Sequence, residues 1–309
     1  MSSIADALRA AIEDQAQDTT RLLITGASGW LGKNLIELLV DAYGDKFGTR
    51  VLATSSSTRK IEPRPGISFS VHKWEKEQIS EFSPTHIVHL AFVTRDKLQD
   101  MPLEEFVRKN EVLREEILWA IRLPSVRALL STSSGAVAKL PRDPYAALKI
   151  ADEVAFKNLA DIVGINFLCT RVWSVSGPYI KPGDILALES FISSALANKP
   201  IELQAPTAAW RTFMDAKEIT GLSLLALMQN RKGILNTGGT TVSVLELAQR
   251  VCATLQSTSS ISTVGSSVKS NSDYYVSEYP DLVQFAQKQG VTVLDLESQI
   301  NSTAVSLRV

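Results

Sequence analysis

From residue 21 onward, short apolar runs alternate with stretches whose apolar residues recur at helical spacing. In the stretch after the first run, Leu31, Leu35, Leu38 and Leu39 form one stripe. We predict six strands, over residues 21–25, 49–55, 66–71, 85–92, 126–134 and 165–172. Because strands that alternate with helices form right-handed parallel crossovers, the pattern predicts an α/β fold with a doubly wound parallel sheet.

The alternation ends near residue 172. We predict a loop over SVSGPYIKPGD, short strands over PIELQ and WRTFM, and helices over 185–199, 216–229, 243–255, 279–290 and 293–304. The serine-rich stretch 257–273 is predicted to be a flexible loop that contains a short strand. The chain therefore divides into an N-terminal helical extension (1–20), a core (21–172) and a smaller C-terminal lobe (173–309), some segments of which return to the core.

The first 20 residues carry an amphipathic pattern. Ile4, Leu8, Ala11 and Ile12 recur at helical spacing, which predicts a helix before the first strand. An apolar stripe of this kind usually faces the core of its own domain, so we favour that packing over a contact between two copies of the chain.

Composition narrows the class of protein. The 309 residues are 45% hydrophobic and carry a formal net charge of -1, so nothing in the charge favours nucleic acid or an anionic membrane. Cys169 and Cys252 are far apart and form neither a disulfide framework nor a metal-ligand cluster. Free thiols, a first segment unlike a secretory signal and the lack of a membrane-length apolar stretch predict a cytoplasmic location.

Three glycines follow the first predicted strand. Gly26, Gly29 and Gly32 lie in TGASGWLG, directly before a predicted helix. Glycine permits a tight turn and a close approach of the backbone to a pyrophosphate, and the start of the helix offers unpaired N–H groups. The chain is therefore predicted to have a Rossmann-type fold that binds a dinucleotide.

The end of the second strand bears on the choice of dinucleotide. NAD-binding chains usually carry a carboxylate there, whereas this one has Ser55, Ser56, Ser57 and Arg59 in LATSSSTRK. Hydroxyls and a guanidinium suit a 2′-phosphate, so the sequence favours NADP over NAD. The alternative is that Arg59 is a solvated loop residue.

The stretch DPYAALKI places Tyr145 four residues before Lys149, on one face of a predicted helix. The pair could be an ordinary surface pair or a phenol beside an ammonium that moves protons. The pair alone does not distinguish these readings.

The order of the motifs resembles the extended short-chain dehydrogenase/reductase family, in its NAD-dependent epimerase/dehydratase (sugar-nucleotide) branch. TGASGWLG is similar to the phosphate-binding turn of that family, HIVHLAF to its fourth strand, STSSGAV to the strand that delivers a catalytic serine, and YAALK to its tyrosine–lysine pair. RVWSVSGP, RTFMDAKEI and LNTGGTTVSVLELA resemble later segments of the family that close over substrate. The resemblance runs from residue 21 to the C-terminal helix.

The resemblance implies a set of site residues. The catalytic residues it implies are Ser134, Tyr145 and Lys149. The cofactor-binding residues are Gly26, Ser28, Gly29, Trp30, Leu31, Gly32, Ser55, Arg59, Leu90, Ala91, Tyr145 and Lys149. The substrate-binding residues are Ser134, Ser174 and Arg211, the last as a contact to a diphosphate.

The implied chemistry is reversible hydride transfer. Free tyrosine has a pKa near 10. We expect the Lys149 ammonium and an oxidised nicotinamide ring to lower that pKa, so that Tyr145 exchanges a proton with the substrate oxygen. Lys149 would also hold the nicotinamide ribose, and Ser134 would donate a hydrogen bond to the same substrate oxygen.

Several positions depart from the family pattern. Gly135 and Ala136 stand where dehydratases carry an acid after the catalytic serine, so we predict a 4-epimerase or a 4-ketoreductase and not a 4,6-dehydratase. His72 and Lys73 stand where the family places an aspartate near adenine, and Ser174 replaces an asparagine. His72, His86 and His89 lack the partners of a metal site, so no metal is expected.

The predicted function is therefore that of an NAD(P)-dependent epimerase or reductase of a nucleotide sugar. One alternative keeps the chemistry but takes a non-nucleotide carbonyl, such as a small ketone or a flavonoid-like alcohol. Another is a non-catalytic protein that senses NAD(P). The oligomeric state cannot be read from the sequence, although the family that the chain resembles often forms homodimers. No nucleic-acid or membrane partner is expected.

Overall fold

A computed structural model of the protein describes residues 3–14, 19–64, 66–180, 186–203, 209–263 and 273–308. The α-helices in this part of the chain are α1 (Ile4–Asp14), α2 (Trp30–Tyr43), α3 (Phe47–Arg50), α4 (Lys76–Phe82), α5 (Leu103–Ile121), α6 (Ala136–Lys139), α7 (Pro144–Val163), α8 (Ala187–Leu196), α9 (Ala216–Met228), α10 (Val244–Leu255), α11 (Asp281–Lys288) and α12 (Leu296–Val305). The strands are β1 (Leu22–Thr25), β2 (Val51–Ser55), β3 (Arg59–Arg64), β4 (Ile67–Lys73), β5 (His86–His89), β6 (Ala128–Ser134), β7 (Asn166–Val172), β8 (Ser174–Ser176), β9 (Ile201–Leu203), β10 (Trp210–Asp215), β11 (Gly233–Asn236), β12 (Thr240–Ser243), β13 (Ile261–Thr263) and β14 (Tyr274–Tyr275).

The large sheet has the order β11-β7-β6-β5-β1-β2-β4-β3. Its strands are parallel except β3, which pairs antiparallel with β4. The chain is therefore an α/β protein with a Rossmann-type, mostly parallel sheet, and the six predicted strands are confirmed. Arg59 begins the edge strand β3 and is therefore not the loop residue of the alternative interpretation.

Helices cover both faces of the large sheet. On one face, residues of β1 such as Ile24 pack with α2, α9 and α11, and on the other face Leu23 packs with α4, α5 and α7. Parallel strands are buried on both faces in such a fold, which explains their continuous apolar runs.

Helix α1 packs on its own chain, against α2 and α9, as predicted. Leu8 and Ile12 are buried in the core cluster that contains both helices. Gly221 of α9 permits this approach, because a Cβ atom there would lie 2.6 Å from Cγ1 of Ile4.

The C-terminal segments form a second layer with a core of its own. Strand β10 pairs antiparallel with β12 and parallel with β8 and β14, while β9 pairs with β13. Helices α8, α10 and α12 pack against these small sheets. Strand β8 lies inside the predicted loop. Residues 181–184 of that loop, residue 185 of the predicted helix after it and residues 264–272 of the predicted serine-rich loop are outside the described residues.

Two segments beyond residue 172 return to the large sheet, one as an added strand and one as a covering helix. Strand β11 extends it beside β7, and Leu222 of α9 is buried in the core of one face. Over the described residues, no helix combines the length and the apolarity required to cross a membrane.

Candidate active site

The glycine turn is tightly constrained. Gly26 has a φ of 70°, and a Cβ atom there would lie 2.6 Å from the backbone nitrogen of Ala91. A Cβ atom at Gly32 would lie 2.3 Å from the carbonyl oxygen of Gly26. At Gly29 the nearest atom to a Cβ is that same oxygen, at 3.2 Å. The turn therefore keeps backbone surface exposed at the start of α2, where Trp30 and Leu31 begin the helix, and it fits a dinucleotide pyrophosphate.

Arg59 is joined to the glycine turn. Its Nη2 atom donates a hydrogen bond to Oγ of Ser28 at 2.8 Å, although the two residues lie on different segments. Ser55 ends β2 beside Lys73, the last residue of β4, and its hydroxyl donates to the carbonyl of Ser57 at 2.8 Å. The structure thus brings Ser28, Ser55 and Arg59 to the end of β2.

The end of β5 lies against the end of β1. The amides of Leu90 and Ala91 donate to the backbone carbonyl and the hydroxyl of Thr25, at 3.2 and 3.3 Å. The Thr25 hydroxyl also bonds Nδ1 of His89 at 2.8 Å. Burial, aided by the charge of Lys149, lowers the pKa of His89 to about 3, so its imidazole stays neutral. His89 therefore holds two strand ends together.

Ser134, Tyr145 and Lys149 meet beside this edge. Ser134 is the last residue of β6, so its side chain lies at the carboxyl edge of the sheet. Helix α7 starts at Pro144 with the Asp143 carboxylate as its N-cap, which accepts a hydrogen bond from the amide of Tyr145 at 3.0 Å. Ser134 lies near enough to Tyr145 to lower the pKa of its phenol, and the Phe92 ring contacts both Tyr145 and Lys149. The three residues expected from the resemblance are thus adjacent.

Lys149 is buried and held from two sides. Its Nζ atom donates to the carbonyl of Thr132 at 2.9 Å and lies 3.7 Å from the centroid of the Phe92 ring. Burial lowers the pKa of Lys149 to about 8, against the opposing charges of Asp152, Cys169 and Glu153.

The pKa of Tyr145 shifts in the direction opposite to the expectation. Burial raises its pKa to about 12, and the nearby Ser134 hydroxyl opposes this. The expectation that the Lys149 ammonium lowers this pKa is therefore not met by the described protein groups alone, because burial disfavours the phenolate more than nearby charges favour it.

Tyr275 is a site residue that the sequence analysis missed. Its hydroxyl lies 3.2 Å from Oγ of Ser134, and its ring centroid lies 4.9 Å from that of Trp173. It belongs to β14, a strand of only two residues, which shows no periodicity. Its one signal is the aromatic pair that follows the serine-rich stretch.

Arg211 lies beside Tyr275. The two residues are register partners on β10 and β14. Nη2 of Arg211 bonds Oδ2 of Asp273 at 2.7 Å, and Nη1 donates to the carbonyl of Trp210 at 2.8 Å. Ser174, on β8, pairs with Phe213 further along β10. Of the three expected substrate residues, Ser174 and Arg211 thus lie in the second layer of the fold, whereas Ser134 lies on the large sheet.

The turn after Ser134 is closely packed. A Cβ atom at Gly135 would lie 2.5 Å from the ring of Trp173. Ala136, which follows, is buried and donates its amide to Oγ of Ser134 at 3.2 Å. Among the described residues, no group of three histidine, cysteine or carboxylate side chains could hold a metal ion.

The sequence profile of the NAD dependent epimerase/dehydratase family matches residues 22–238. The chain belongs to this family. The resemblance read from the motifs is confirmed, and the glycine turn, the end of β5 and the Ser134–Tyr145–Lys149 group all fall within the matched region.

Individual relatives are more distant. The chain is 29% identical over 202 residues to the UDP-glucose 4-epimerase of Mycolicibacterium smegmatis, which covers 57% of this chain and 63% of that relative's length. An epimerase structure from Methanothermobacter thermautotrophicus matches with a TM-score of 0.75 and 17% identity, over 98% of this chain and 94% of the other. A Thermus thermophilus UDP-glucose 4-epimerase complex with NAD matches with a TM-score of 0.71 and 22% identity, over 94% and 99%. At these identities the two structures establish the fold of this family member.

Proposed function

We propose that this epimerase/dehydratase family member is an NAD(P)-dependent enzyme that acts on a nucleotide sugar by reversible hydride transfer at a sugar carbon. The observation that carries the proposal is that Ser134 lies near Tyr145, while the Phe92 ring contacts both Tyr145 and Lys149, at the sheet edge that also bears the glycine turn. A purely structural tyrosine–lysine pair on α7 would not require a serine from strand β6 beside it.

The chain's own groups can move a proton at one substrate oxygen. Tyr145 would exchange a proton with that oxygen, and the Ser134 hydroxyl would hold it by a hydrogen bond. Lys149, which is fixed by the Thr132 carbonyl, would bind the ribose hydroxyls of the cofactor. A bound nicotinamide supplies the hydride acceptor and donor.

We propose NADP as the preferred cofactor. The Arg59 guanidinium lies against Ser28 of the phosphate-binding turn, and residues 51–60 contain no carboxylate. Lys73 adds a second positive charge beside Ser55. These groups suit a 2′-phosphate better than a pair of free ribose hydroxyls.

We also propose that the second layer binds the nucleotide sugar. Arg211 and Ser174 lie on adjoining strands there, and Tyr275 connects that layer to Ser134. A guanidinium at this position suits a diphosphate, because it can form two parallel hydrogen bonds to phosphate oxygens.

The reaction we propose is 4-epimerisation or 4-ketoreduction and not 4,6-dehydration. Elimination of water needs an acid beside the reacting carbon. Gly135 and Ala136 offer none, and the Trp173 ring fills the space that a side chain at 135 would need.

The decisive experiment is to purify the protein and measure whether stoichiometric cofactor is retained. An epimerase returns the hydride and keeps its cofactor, whereas a reductase consumes NADPH in every turnover. Interconversion of UDP-glucose and UDP-galactose, or consumption of NADPH with a 4-keto nucleotide sugar, would support the proposal. No thermal stabilisation by any nucleoside diphosphate would contradict it.

A second candidate is reduction of a non-nucleotide carbonyl. It is favoured by the aromatic groups near the catalytic tyrosine (Phe92, Trp173 and Tyr275) and by the pairing of Arg211 with Asp273. An aromatic ketone that oxidises NADPH in the presence of the protein would support it. A non-catalytic NAD(P)-sensing role is disfavoured by the intact Ser134–Tyr145–Lys149 group, and hydride exchange with any substrate would exclude it.

We further propose that the protein acts in the cytoplasm as a homodimer. The neighbouring helices α5 and α7 expose Val112 and Val154, with 49% and 54% of their surfaces accessible. Apolar surface on adjacent helices suits a contact with a second copy. Sedimentation of Val154→Asp as a monomer, against a wild-type dimer, would support this arrangement.

A further inference from the structure

Residues 273–278 form a strap across the mouth of the site. The strap contains β14, which pairs with the start of β10, and the amide of Ser277 donates to the hydroxyl of Thr212 on β10 at 3.2 Å. Its central residue, Tyr275, reaches the catalytic Ser134.

An ion pair fixes the strap at each end. At one end, the Asp273 carboxylate bonds Nη2 of Arg211 at 2.7 Å. At the other end, the Glu278 carboxylate bonds Nζ of Lys139 at 2.9 Å, and that nitrogen lies 6.0 Å from the Trp173 ring. Both cations belong to the body of the protein, and both carboxylates belong to the strap.

The strap restricts access to Ser134. Only 6% of Ser134 is exposed, its hydroxyl lies 3.2 Å from that of Tyr275, and the Tyr275 ring packs on Trp173. The Tyr275 hydroxyl thus occupies one hydrogen-bonding position of Ser134 and competes for it with a substrate oxygen. Movement of the strap would free this position.

We propose that Arg211 and Lys139 are an anion-binding pair. In the absence of a ligand, the Asp273 and Glu278 carboxylates substitute for the anion and occupy these two cations. A substrate that carries a diphosphate displaces both carboxylates and thereby lifts Tyr275 from Ser134. This inference rests on the proposed function for its ligand class, and it adds Lys139 and a regulated opening to that site.

The charges make such an exchange favourable. The Asp273 and Glu278 side chains are 55% and 64% exposed, whereas those of Arg211 and Lys139 are 25% and 28% exposed. Ion pairs with an exposed partner are weak and are screened by water. A diphosphate brings more charge than a carboxylate and forms bidentate, charge-assisted bonds with a guanidinium. Each displaced carboxylate returns to solvent at little cost.

The competing interpretation is that Asp273 orients Arg211 toward its ligand. The two roles predict opposite effects of removing the carboxylate. An orienting partner strengthens anion binding, so its loss weakens that binding. A substitute competes with the anion, so its loss strengthens binding. The gain in affinity depends on the fraction of protein that has an open strap and is competent to bind.

The test is a calorimetric titration of the full-length protein with inorganic pyrophosphate and, separately, with UDP. Saturating NAD+ and NADP+ keep the glycine turn occupied, so that the titrated anion reports on the second layer. We expect Asp273→Asn with Glu278→Gln to bind pyrophosphate on the order of 3–10-fold more tightly than wild type. Lys139→Gln and Arg211→Gln should each weaken it.

Glu297→Gln is the matched control. It removes an exposed carboxylate that pairs with Arg250 in the same lobe, away from the strap, and it should leave the affinity unchanged. Tryptophan emission gives a second measurement. Pyrophosphate should change the emission of the wild type, and Trp173→Phe should abolish that change.

Unchanged or weaker pyrophosphate binding by the double variant would overturn the proposal, as would an equal gain in Glu297→Gln. A failure of the strap proposal can be distinguished from a failure of the proposed function. Tighter pyrophosphate binding without turnover of any nucleotide sugar would contradict only the proposed function. Turnover of UDP-glucose with an affinity indifferent to Asp273 and Glu278 would contradict only the strap.

Discussion

The ammonium group of Lys149 lies directly over the ring of Phe92, 3.7 Å from its centroid. The same ring meets that of Tyr145 edge-on, with 5.4 Å between centroids and 87° between planes. One aromatic side chain on the loop after β5 thus contacts both members of the tyrosine–lysine pair. Because the face of an aromatic ring attracts a cation, Phe92 stabilises the charged form of Lys149 against the cost of its burial.

Replacing Phe92 with leucine should therefore lower the pKa of Lys149 below its value of about 8. A cation–π contact contributes roughly 0.5–2 kcal/mol, which corresponds to a shift of about one pKa unit. The alkaline limb of the pH profile of kcat/KM should move to lower pH by about that amount. Phe92→Tyr keeps the aromatic face and serves as the control. Identical alkaline limbs in the leucine and tyrosine variants would refute the role given to the ring.

Tyr145→Phe should abolish turnover while NAD(P) still binds. The variant lacks the hydroxyl that we propose exchanges a proton with the substrate, a contribution of roughly 10²–10⁴-fold in rate. An assay of turnover and a titration with NAD(P) measure the loss of activity and the retention of cofactor binding separately. An enzyme that kept its rate without this hydroxyl would require a different proton donor.

The pKa of Tyr145 provides a related measurement. Burial raises it to about 12, so its phenol should remain protonated throughout the neutral and mildly alkaline range. Adding NAD+ should lower this pKa, because a positive ring beside the phenol favours the phenolate. Near-ultraviolet difference spectra of wild type minus Tyr145→Phe, with and without NAD+, report the ionisation. Spectra that are indifferent to NAD+ would show that the tyrosine is acidified in another way or not at all.

Arg59→Ser should discriminate between the two dinucleotides. A charge-assisted hydrogen bond to phosphate contributes about 1.5–3 kcal/mol, so affinity for NADP should fall roughly 10–100-fold. Affinity for NAD should change little, since NAD has no 2′-phosphate. Lys60→Ser removes the same charge from the next residue of β3 and is the matched control. Parallel losses for NAD and NADP would assign Arg59 to the glycine turn, through Ser28, and not to a phosphate.

Glu218 should make the protein less stable above neutral pH. Burial, reinforced by the nearby Asp215 charge, raises the pKa of its carboxyl from 4.5 to about 7, although the Leu294 amide donates to it. The folded protein therefore holds this proton more tightly than the unfolded chain does. The resulting stabilisation is complete below pH 4.5 and is lost as the pH rises through about 7, an effect on the order of 3 kcal/mol.

Glu218→Gln should remove most of this dependence, with a gain at pH 8 of roughly 1–2 kcal/mol because an uncharged amide replaces a buried carboxylate. Urea unfolding at pH 5 and pH 8 measures it. Glu202→Gln, at an exposed position on β9, should leave the difference between the two pH values as in wild type. A Glu218→Gln variant as pH-sensitive as the wild type would contradict the assignment.

The elements predicted correctly are those whose sequence carries a sustained pattern. Strands β6 and β7 are seven residues long and almost wholly buried, and α2 has a full apolar stripe. Strands β8 and β14 have three and two residues. Such strands are stabilised by pairing with β10. Because this partner is distant in sequence, no local periodicity predicts the pairing.

The site follows the same division. Ser134, Tyr145 and Lys149 could be named because a fixed spacing and recurring neighbours accompany them. Tyr275 joins Ser134 across 141 positions of chain, and Phe92, on the loop after β5, contacts Lys149 on the distant helix α7. The sign of the Tyr145 pKa shift was also out of reach, because it depends on burial, which becomes measurable only once the chain has folded.

The placement of α9 and β11 limits how this chain could be divided. A fragment that ended at residue 172 would contain the glycine turn and the tyrosine–lysine pair, yet it would leave β7 with an unpaired edge and one face of the large sheet open to water. Such a piece invites aggregation and is a poor candidate for an autonomous nucleotide-binding module. Genetic dissection of this protein is therefore better done with point substitutions than with truncations.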